Sequence, residues 1–288
     1  MNIIVQKFGG TSVSTEDRRK QVAVKVKEAI DNGFTPIVVV SAMGRKGQPY
    51  ATDTLLTLID DKFKESNRNS KDLLMCCGEI ISSVVVANAL YNEGIQAVPL
   101  TGGQAGIITD DNFCEAEYIS IDIDRLLSVV REGKVPVVTG FQGITKDGYF
   151  TTLGRGGSDT TACILGNAVN AKEIEIYTDV DGIMTADPRI VEDASLIDEI
   201  TYNEVFQLAD QGAKVIHPKA IDLAKKGNIP LFIKNTMGES KGTLVSNNTI
   251  GNERRYITGI TYLNNRIQVR IRLSENSNIK VYHCLLYT

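Results

Sequence analysis

A glycine-rich stretch in the middle of the chain combines three kinds of group that bind anions. Residues 151–161 read TTLGRGGSDTT. The guanidinium of Arg155 is a planar fork suited to a carboxylate or a phosphate, and Ser158 stands where a helix would begin. Gly156 and Gly157 leave the backbone open to close approach. The stretch therefore predicts an anion site, although a loop that merely caps a helix would have the same composition.

A second glycine-rich loop follows the first predicted strand. Lys7 precedes Gly9 and Gly10, so a cation, backbone amides and a helix dipole would face one anion. Neither a P-loop nor a G-x-G-x-x-G pattern occurs in the sequence, which argues against both of those nucleotide sites. Ser41 ends the next predicted strand, and ligands gather at the carboxyl ends of strands in open α/β sheets. We expect the loops to share one crevice, with phosphate at Lys7.

The elements that must position these loops alternate between strand and helix. This alternation predicts a three-layer α/β/α sandwich with a mostly parallel central sheet. The predicted strands cover residues 2–8, 36–41, 96–100, 135–139, 174–178 and 230–234. A first helix is predicted to start at Ser14, with Asp17 completing a capping box, and to stop at Asn32. Further helices are predicted over about 72–92, 122–131, 158–168, 202–211 and 217–226. The turn signal at 146–149 predicts a small hairpin just before the Arg155 loop.

Composition argues against several classes of protein. The 288 residues are 42% hydrophobic with a net charge of −4, which gives no electrostatic case for nucleic-acid binding. No uninterrupted apolar run approaches membrane-spanning length, and the chain opens on a strand-like segment instead of a signal peptide, so we expect a cytoplasmic protein. Five cysteines without a C-x-x-C pair argue against structural zinc, and His217 is interpreted as structural. No metal site is predicted.

Five motifs follow one another along the first 245 residues. They are KFGGTS at 7–12, SAMG at 41–44, CGE at 77–79, TLGRGGSD at 152–159, and TDVDG at 178–182 running on to ADPR at 186–189. In this order they resemble the motifs of the aspartokinases, members of the amino acid kinase superfamily. The resemblance implies the amino acid kinase fold over residues 1–245. It also implies ATP-dependent phosphorylation of the side-chain carboxylate of L-aspartate to 4-phospho-L-aspartate, the first step towards lysine (through diaminopimelate), methionine and threonine.

The resemblance further implies a role for individual residues. Lys7 and Asp159 would be catalytic: Lys7 would stabilise the transferred phosphoryl group, and Asp159 would hold the cationic side chains in place. Arg155 would bind a substrate carboxylate and Glu79 the ammonium. The rest of the substrate site would comprise Thr52, Gly156, Gly157 and Ser158. ATP would contact Lys7, Phe8, Gly9, Gly10, Ser41, Thr178, Asp179, Met184, Thr185, Ala186, Asp187, Pro188, Arg189 and Lys214. Magnesium would accompany the ATP without a dedicated cage of protein carboxylates.

The pattern changes beyond residue 245. Residues 246–255 are predicted to be a linker, and 256–288 resemble the start of a first ACT domain whose continuation does not match. The expectation is an incomplete ACT-like remnant, containing one strand at 267–273, in a chain truncated there. Any homo-oligomer would then depend on the kinase domain. Two alternatives stay open: a kinase of the same superfamily acting on another carboxylate or a carbamate, and a truncated non-catalytic subunit that binds ATP or a partner.

Overall fold

The structure of the protein, a computed structural model, describes residues 1–212, 216–247 and 257–262. The strands in these residues are β1 Ile3–Phe8, β2 Thr35–Val40, β3 Ala97–Leu100, β4 Ile107–Thr109, β5 Tyr118–Ile121, β6 Val135–Thr139, β7 Gln142–Ile144, β8 Phe150–Thr152, β9 Glu173–Thr178, β10 Glu199–Thr201, β11 Leu231–Asn235 and β12 Thr243–Ser246. The helices are α1 Glu16–Asp31, α2 Thr52–Leu55, α3 Asp61–Ser66, α4 Arg68–Asn92, α5 Asp124–Arg131, α6 Gly157–Ala168, α7 Tyr202–Asp210 and α8 Pro218–Gly227.

Eight strands form one large sheet in the order β10-β12-β11-β9-β1-β2-β6-β3. Every neighbouring pair is parallel except β11 and β12, which are antiparallel. The central strands are almost continuous apolar runs because helices cover both faces of the sheet; all five residues of β6 are buried. The predicted three-layer α/β/α sandwich with a mostly parallel sheet is confirmed.

Side chains of the central strands alternate between two hydrophobic layers. Val5 and Ile37 belong to the layer that contains residues of α6 and α8, whereas Phe8 and Val38 belong to the layer formed with α1 and α4. Successive residues of a strand point to opposite faces, so β1 and β2 are fixed from both sides. The loops that follow these two strands therefore start from strands that are packed on both faces.

Helix α1 begins with a different cap from the one predicted. Its N-cap is Thr15, whose side chain accepts a hydrogen bond from the amide of Arg18 at 3.4 Å. The Ser14 hydroxyl is occupied elsewhere, because it donates to the carbonyl of Thr11 at 2.9 Å. The predicted capping box of Ser14 and Asp17 is therefore wrong, while the predicted stop is confirmed, since Asn32 is the C-cap.

A second, four-stranded sheet, ordered β5-β4-β7-β8, stands beside the large one. Its hairpin β7–β8 is the predicted one, with Gly148 in the left-handed region at the turn (φ 85°). Strands β4 and β5 were not predicted, and β5 is largely exposed. The hairpin leads directly into the Arg155 loop, so this small sheet positions that loop.

Helix α4 is long and apolar enough, by length and composition, to cross a membrane, and it is the one such helix among the described residues. Half of its apolar window is buried inside the protein. Its buried face also carries two acidic side chains, Asp72 and Glu79. This is the pattern of a core helix that packs against a sheet and supplies polar groups to the interior.

Several predictions fall on residues 213–215, 248–256 and 263–288, which lie outside the described residues. They include Lys214, most of the linker, and the strand at 267–273. Ser246 ends β12, so it belongs to the large sheet and not to a linker. The described segment 257–262 contacts the rest of the chain, since the amide of Ile260 donates to the carbonyl of Thr185 at 2.8 Å. The division into domains stays a prediction.

We predict that Thr15→Ala lowers the free energy of unfolding by about 0.5–1 kcal/mol, because one amide of the first turn of α1 loses its acceptor. Urea denaturation monitored by circular dichroism measures the change. Ser14→Ala is the matched control and should cost less. A larger loss in Ser14→Ala than in Thr15→Ala would show that the cap is assigned to the wrong residue.

Candidate active site

A cavity of about 310 Å³ opens at the carboxyl ends of the central strands. It is lined by Lys7, Ser41, Thr52, Glu79, Phe141 and residues 154–159. The predicted substrate residues are thus brought together with the predicted catalytic pair. Lys7, Ser41 and Phe141 meet here because β1, β2 and β6 are neighbours in the large sheet, whereas residues 154–159 follow β8 of the smaller sheet and Glu79 lies on α4.

An ion pair lies at the centre of the cavity wall. Lys7 emerges near the end of β1, and its Nζ lies 2.7 Å from Oδ1 of Asp159 in the first turn of α6. Each side chain is only 12% exposed. Burial to this degree weakens the screening by water, so the pair is held more firmly than a surface ion pair. The carboxylate fixes the ammonium of Lys7 at the cavity.

The loops after β1 and β2 are in direct contact. The amide of Gly44 donates to the carbonyl of Gly10 at 2.9 Å, and a Cβ on Gly10 would lie 2.5 Å from the carbonyl oxygen of Ala42. No side chain fits at Gly10, whose own amide makes no hydrogen bond to another described residue. That amide is available to an anion.

Two residues beside Gly10 have partners that the sequence did not reveal. The amide of Gly9 donates to the carbonyl of Tyr177 at 3.1 Å, so the predicted contact of this amide with a phosphate does not fit the structure. The ring of Phe8 is fully buried and stacks on Tyr177, with 4.7 Å between centroids. The ring of Phe8 is therefore not available to a nucleotide, and its carbonyl accepts a hydrogen bond from the amide of Ser41 at 3.1 Å.

The β2 loop is tied to helix α6 by two hydroxyl groups. Oγ of Ser41 donates to Oγ of Ser158 at 3.0 Å, and both side chains line the cavity. Thr52, the first residue of α2, lines it from the other end of the same loop. The cavity therefore has neutral hydroxyl donors next to the Lys7–Asp159 pair.

Glu79 supplies an unpaired carboxylate oxygen. The side chain is 3% exposed, and its Oε1 accepts a hydrogen bond from the amide of Ala42 at 3.1 Å. Its Oε2 has no hydrogen-bond partner among the described residues. Burial raises the pKa of this carboxyl to about 8, and the hydrogen bond from Ala42 opposes the shift. A cation placed in the cavity would restore the ordinary, ionised form.

Arg155 supplies the positive charge on the other side of the cavity. Its side chain is exposed and forms no ion pair with any described residue. It stands between two glycines in the left-handed region, Gly154 at φ 72° and Gly156 at φ 71°. A Cβ on Gly156 would lie 2.2 Å from Cβ of His217, so His217 packs directly behind the turn. His217 also caps α8, which agrees with its structural interpretation.

The predicted nucleotide residues Thr178 and Asp179 lie at the same edge of the sheet but outside this cavity. Strand β9 pairs with β1, so Thr178 ends next to the loop that follows Phe8. Oδ2 of Asp179 lies 2.5 Å from Nη2 of Arg45, an ion pair that bridges β9 and the β2 loop. Arg45 was not singled out in the sequence, and its only signal is its position four residues after Ser41.

The rest of the predicted nucleotide wall is a single segment that does not line the cavity either. It comprises Met184, Thr185, Ala186, Asp187, Pro188 and Arg189. Met184 pairs with Leu196 in an isolated bridge, and the Thr185 hydroxyl accepts a hydrogen bond from the amide of Ser195. Hydrogen bonds from Arg189 hold the pKa of Asp187 at about 2. The segment is ordered by its own contacts.

The carboxylates near this wall are already engaged. Asp179 pairs with Arg45, Asp187 pairs with Arg189, and Oδ1 of Asp181 accepts a hydrogen bond from Asn235. Across the described part of the chain, no group of three or more histidine, cysteine, aspartate or glutamate side chains is placed to hold a metal ion.

Phe141 lines the cavity although the sequence analysis did not identify it. It adopts the left-handed region (φ 71°), which is unusual for a residue with a side chain. The hydroxyl of Thr161 accepts from its amide, and its carbonyl accepts from the amide of Leu153. The available signal was its position just after β6, at the carboxyl edge of the sheet.

Comparison with known proteins assigns the family. The sequence profile of the amino acid kinase family matches residues 2–235. Aspartokinase 1 of Bacillus subtilis is 48% identical over 276 residues, which is 94% of this chain and 68% of that protein. The chain spans 68% of the length of that protein and 62% of the length of the aspartokinase of Bacillus sp. (strain MGA3), to which it is 40% identical.

Solved structures agree with the sequence matches. The aspartate kinase from Synechocystis has a TM-score of 0.72 at 42% identity, with 86% of this chain and 40% of that one covered. A structure of E. coli aspartokinase III in complex with aspartate and ADP has a TM-score of 0.71 at 30% identity, covering 86% of this chain and 65% of that one. The fold, the ordered motifs and these relatives together show that the chain belongs to the amino acid kinase family, among its aspartokinases.

Proposed function

We propose that this chain phosphorylates the side-chain carboxylate of L-aspartate with ATP, giving 4-phospho-L-aspartate. The main observation behind the proposal is that Arg155 and Glu79 line the same cavity. Among the described residues, the Arg155 guanidinium has no ion-pair partner and Oε2 of Glu79 has no hydrogen-bond partner. A free amino acid with an acidic side chain offers an ammonium for Glu79 and a carboxylate for Arg155. An N-acylated substrate has no ammonium, so it would leave the buried Glu79 without a partner. Relatives named aspartokinase support the choice.

The reaction needs no general base. The side-chain carboxylate of aspartate has an ordinary pKa of about 3.9 and is ionised at neutral pH. One of its oxygens attacks the γ-phosphorus, the bond from that phosphorus to the β,γ-bridging oxygen breaks, and ADP leaves with the electron pair. Catalysis then consists of aligning two anions and stabilising the charge on the transferred group.

Lys7 is the group that stabilises the transferred phosphoryl. Its ammonium is held at the cavity by Asp159, so it is oriented before the substrates arrive. Asp159 acts on the reaction only through Lys7. The amide of Gly10 would donate to a phosphate oxygen, and the hydroxyl of Ser41 could do the same only by turning away from Ser158, to which it donates in the free protein.

ATP would lie between the Gly10 loop and the wall formed by residues 178–189. Magnesium bound to the β- and γ-phosphates would neutralise part of their charge. Because Asp179, Asp181 and Asp187 are each engaged by a protein partner, the ion would be bound through the nucleotide.

We also propose that the protein works in the cytoplasm, since the four described cysteines are free thiols, as is usual in a reducing compartment. A homo-oligomer stays a prediction. The substrates themselves, aspartate and ATP, are the partners that the cavity and its surroundings favour.

The first test is aspartate-dependent release of ADP by the purified chain, with N-acetylglutamate as the competing acceptor. We expect turnover with aspartate, and Lys7→Ala should lower kcat by about 10²- to 10³-fold because the transferred charge loses its cation. Lys20→Ala, which changes an exposed lysine on α1, is the matched control and should keep full activity. Preference for N-acetylglutamate, or full activity in Lys7→Ala, would refute the proposal.

Arg155→Ala should raise KM for aspartate by about 10- to 100-fold, since a charge-assisted pair of hydrogen bonds is lost, with little change in KM for ATP. Steady-state kinetics with each substrate varied in turn measure both constants. Arg131→Ala, an exposed arginine at the end of α5, is the control. An unchanged KM for aspartate in Arg155→Ala would remove Arg155 from the acceptor site.

Aspartate binding should be linked to proton release from Glu79. Its pKa of about 8 means that the free protein holds this carboxyl protonated at neutral pH, whereas an ammonium binds to the ionised form. The apparent KM for aspartate should therefore fall by about tenfold per pH unit as pH rises from 6 towards 8, and then level off. Kinetics at saturating ATP over this range test the slope. Glu79→Gln should bind aspartate weakly and without this slope; a flat profile in the unaltered protein would contradict the assignment.

A further inference from the structure

We infer that Asp72 is a positioning residue that sets the separation between the Arg155 loop and Glu79, and with it the length of acceptor that the cavity takes. The inference rests on the proposed function, because the acceptor is taken to be an amino acid held at both ends. Asp72 itself does not line the cavity. It acts through the segments that it joins.

The carboxylate of Asp72 joins two separate segments of the chain. It is fully buried, and its Oδ2 accepts from the amides of Cys114 and Thr152, each at 2.9 Å. Its Oδ1 accepts from the hydroxyl of Thr152 at 2.8 Å. Three donors thus converge on one buried carboxylate, the kind of arrangement that makes burial of the charge tolerable. Each donor is oriented by the same anion.

Both segments lead to the Arg155 turn. Thr152 ends β8, three residues before Arg155, and its carbonyl accepts from the amide of Ala116 at 2.8 Å. Cys114 adopts the left-handed region (φ 76°), a conformation that persists in a residue with a side chain only when its surroundings impose it. A Cβ on Gly154 would lie 3.7 Å from the carbonyl oxygen of Cys114. The turn that carries Arg155 therefore rests against a turn that Asp72 holds.

The other end of the acceptor is set by the same helix. Glu79 follows Asp72 by seven residues on α4, which places both on the buried face, about 10 Å apart along the axis. Between them, the carbonyl of Cys76 accepts from Nε2 of Gln142 at 3.3 Å, so this stretch of α4 is also fastened to the hairpin. Helix α4 therefore fixes the position of Glu79, which would bind the ammonium, relative to the loop of Arg155, which would bind the carboxylate.

This arrangement predicts a selective defect. Asp72 has no contact with Lys7, with the Gly10 loop or with residues 178–189 among its hydrogen bonds. Loss of its carboxylate would loosen the Arg155 loop and leave the phosphate side in place. Aspartate binding should suffer while ATP binding does not.

The experiment compares three variants of the full chain by steady-state kinetics. Asp72→Ala should raise KM for aspartate by about tenfold, with KM for ATP and kcat within about threefold of the unaltered protein. Thr152→Val removes only the hydroxyl donor and should raise KM for aspartate by a smaller factor. Asp72→Asn keeps an oxygen acceptor for the two amides, so it should recover most of the affinity that Asp72→Ala loses.

Tyr202→Phe is the control for loss of a buried hydrogen bond away from the cavity, since the Tyr202 phenol donates to the carbonyl of Ile229. It should lower Tm without separating the two KM values. If Asp72→Ala raises both KM values equally, or raises neither, Asp72 has only a structural role and the inference is refuted. If Asp72→Ala does not fold, Thr152→Val decides: an unchanged KM for aspartate refutes the inference.

Hydrogen exchange separates this inference from the proposed function. In Asp72→Ala, or in Thr152→Val if the former does not fold, amides of residues 153–158 should exchange faster while those of residues 8–12 should not. If the unaltered chain does not phosphorylate aspartate, the proposed function fails, and exchange alone then decides whether Asp72 holds the loop. Unchanged exchange at 153–158 would overturn the inference whatever the activity.

Discussion

The parallel pairing of β1 with both of its neighbours is the constraint on which the rest of the site depends. Phe8 lies level with Val40 of β2 on one side and with Tyr177 of β9 on the other. The ladder continues one step past the strands, because Gly9 donates to Tyr177 and Ser41 donates to Phe8. Three loops therefore leave the sheet at one level. A shift of β1 by one residue would turn Lys7 to the opposite face and move it away from Asp159.

The charged side chains at the carboxyl edge of the sheet differ in whether another side chain of the protein pairs with them. Lys7 and Asp159 neutralise each other without a ligand, and this fixes the catalytic cation before binding. Glu79 and Arg155 have no such partners in the described structure, and burial raises the pKa of Glu79. Lys7 is thus positioned in the free protein, while Glu79 and Arg155 would be paired only by a ligand. Under the proposed function, a zwitterion would be favoured because only a molecule with both charges satisfies both groups.

The sequence predicted those parts of the molecule that depend on local pattern. Strands β1, β2 and β6 are largely apolar runs, β9 and β11 are rich in β-branched and aromatic residues, and α4, α5, α6, α7 and α8 have helical periodicity, so they were found within a few residues. Strands β4, β5, β10 and β12 have three or four residues, too few to show a period. The cap of α1 was misplaced because adjacent Ser14 and Thr15 are both suitable caps, and the choice depends on the Ser14 bond to Thr11.

Within the site, too, the sequence predicted what depends on local pattern and missed what depends on contacts between distant segments. Lys7, Glu79 and Arg155 were identified because their motifs are ordered along the chain, and the cavity brings them together. The roles of Asp72 and Arg45, and the bond that occupies the Gly9 amide, depend on segments distant in sequence. No spacing within one motif reports such contacts. Phe141 could have been predicted in part. Its position after a buried strand places it near the carboxyl edge of the sheet, but the sequence does not indicate its left-handed backbone conformation.

The contact at Gly10 has a consequence for engineering. Because a Cβ at this position would meet the carbonyl oxygens of Ala42 and Gly44 at 2.5 and 2.9 Å, the loops after β1 and β2 are packed against each other with no space for a side chain at Gly10. In a library that varies residues 9–12, any side chain introduced at Gly10 would collide with the backbone of residues 42–44. A redesign of either loop should therefore keep Gly10, or change it together with the path of residues 42–44.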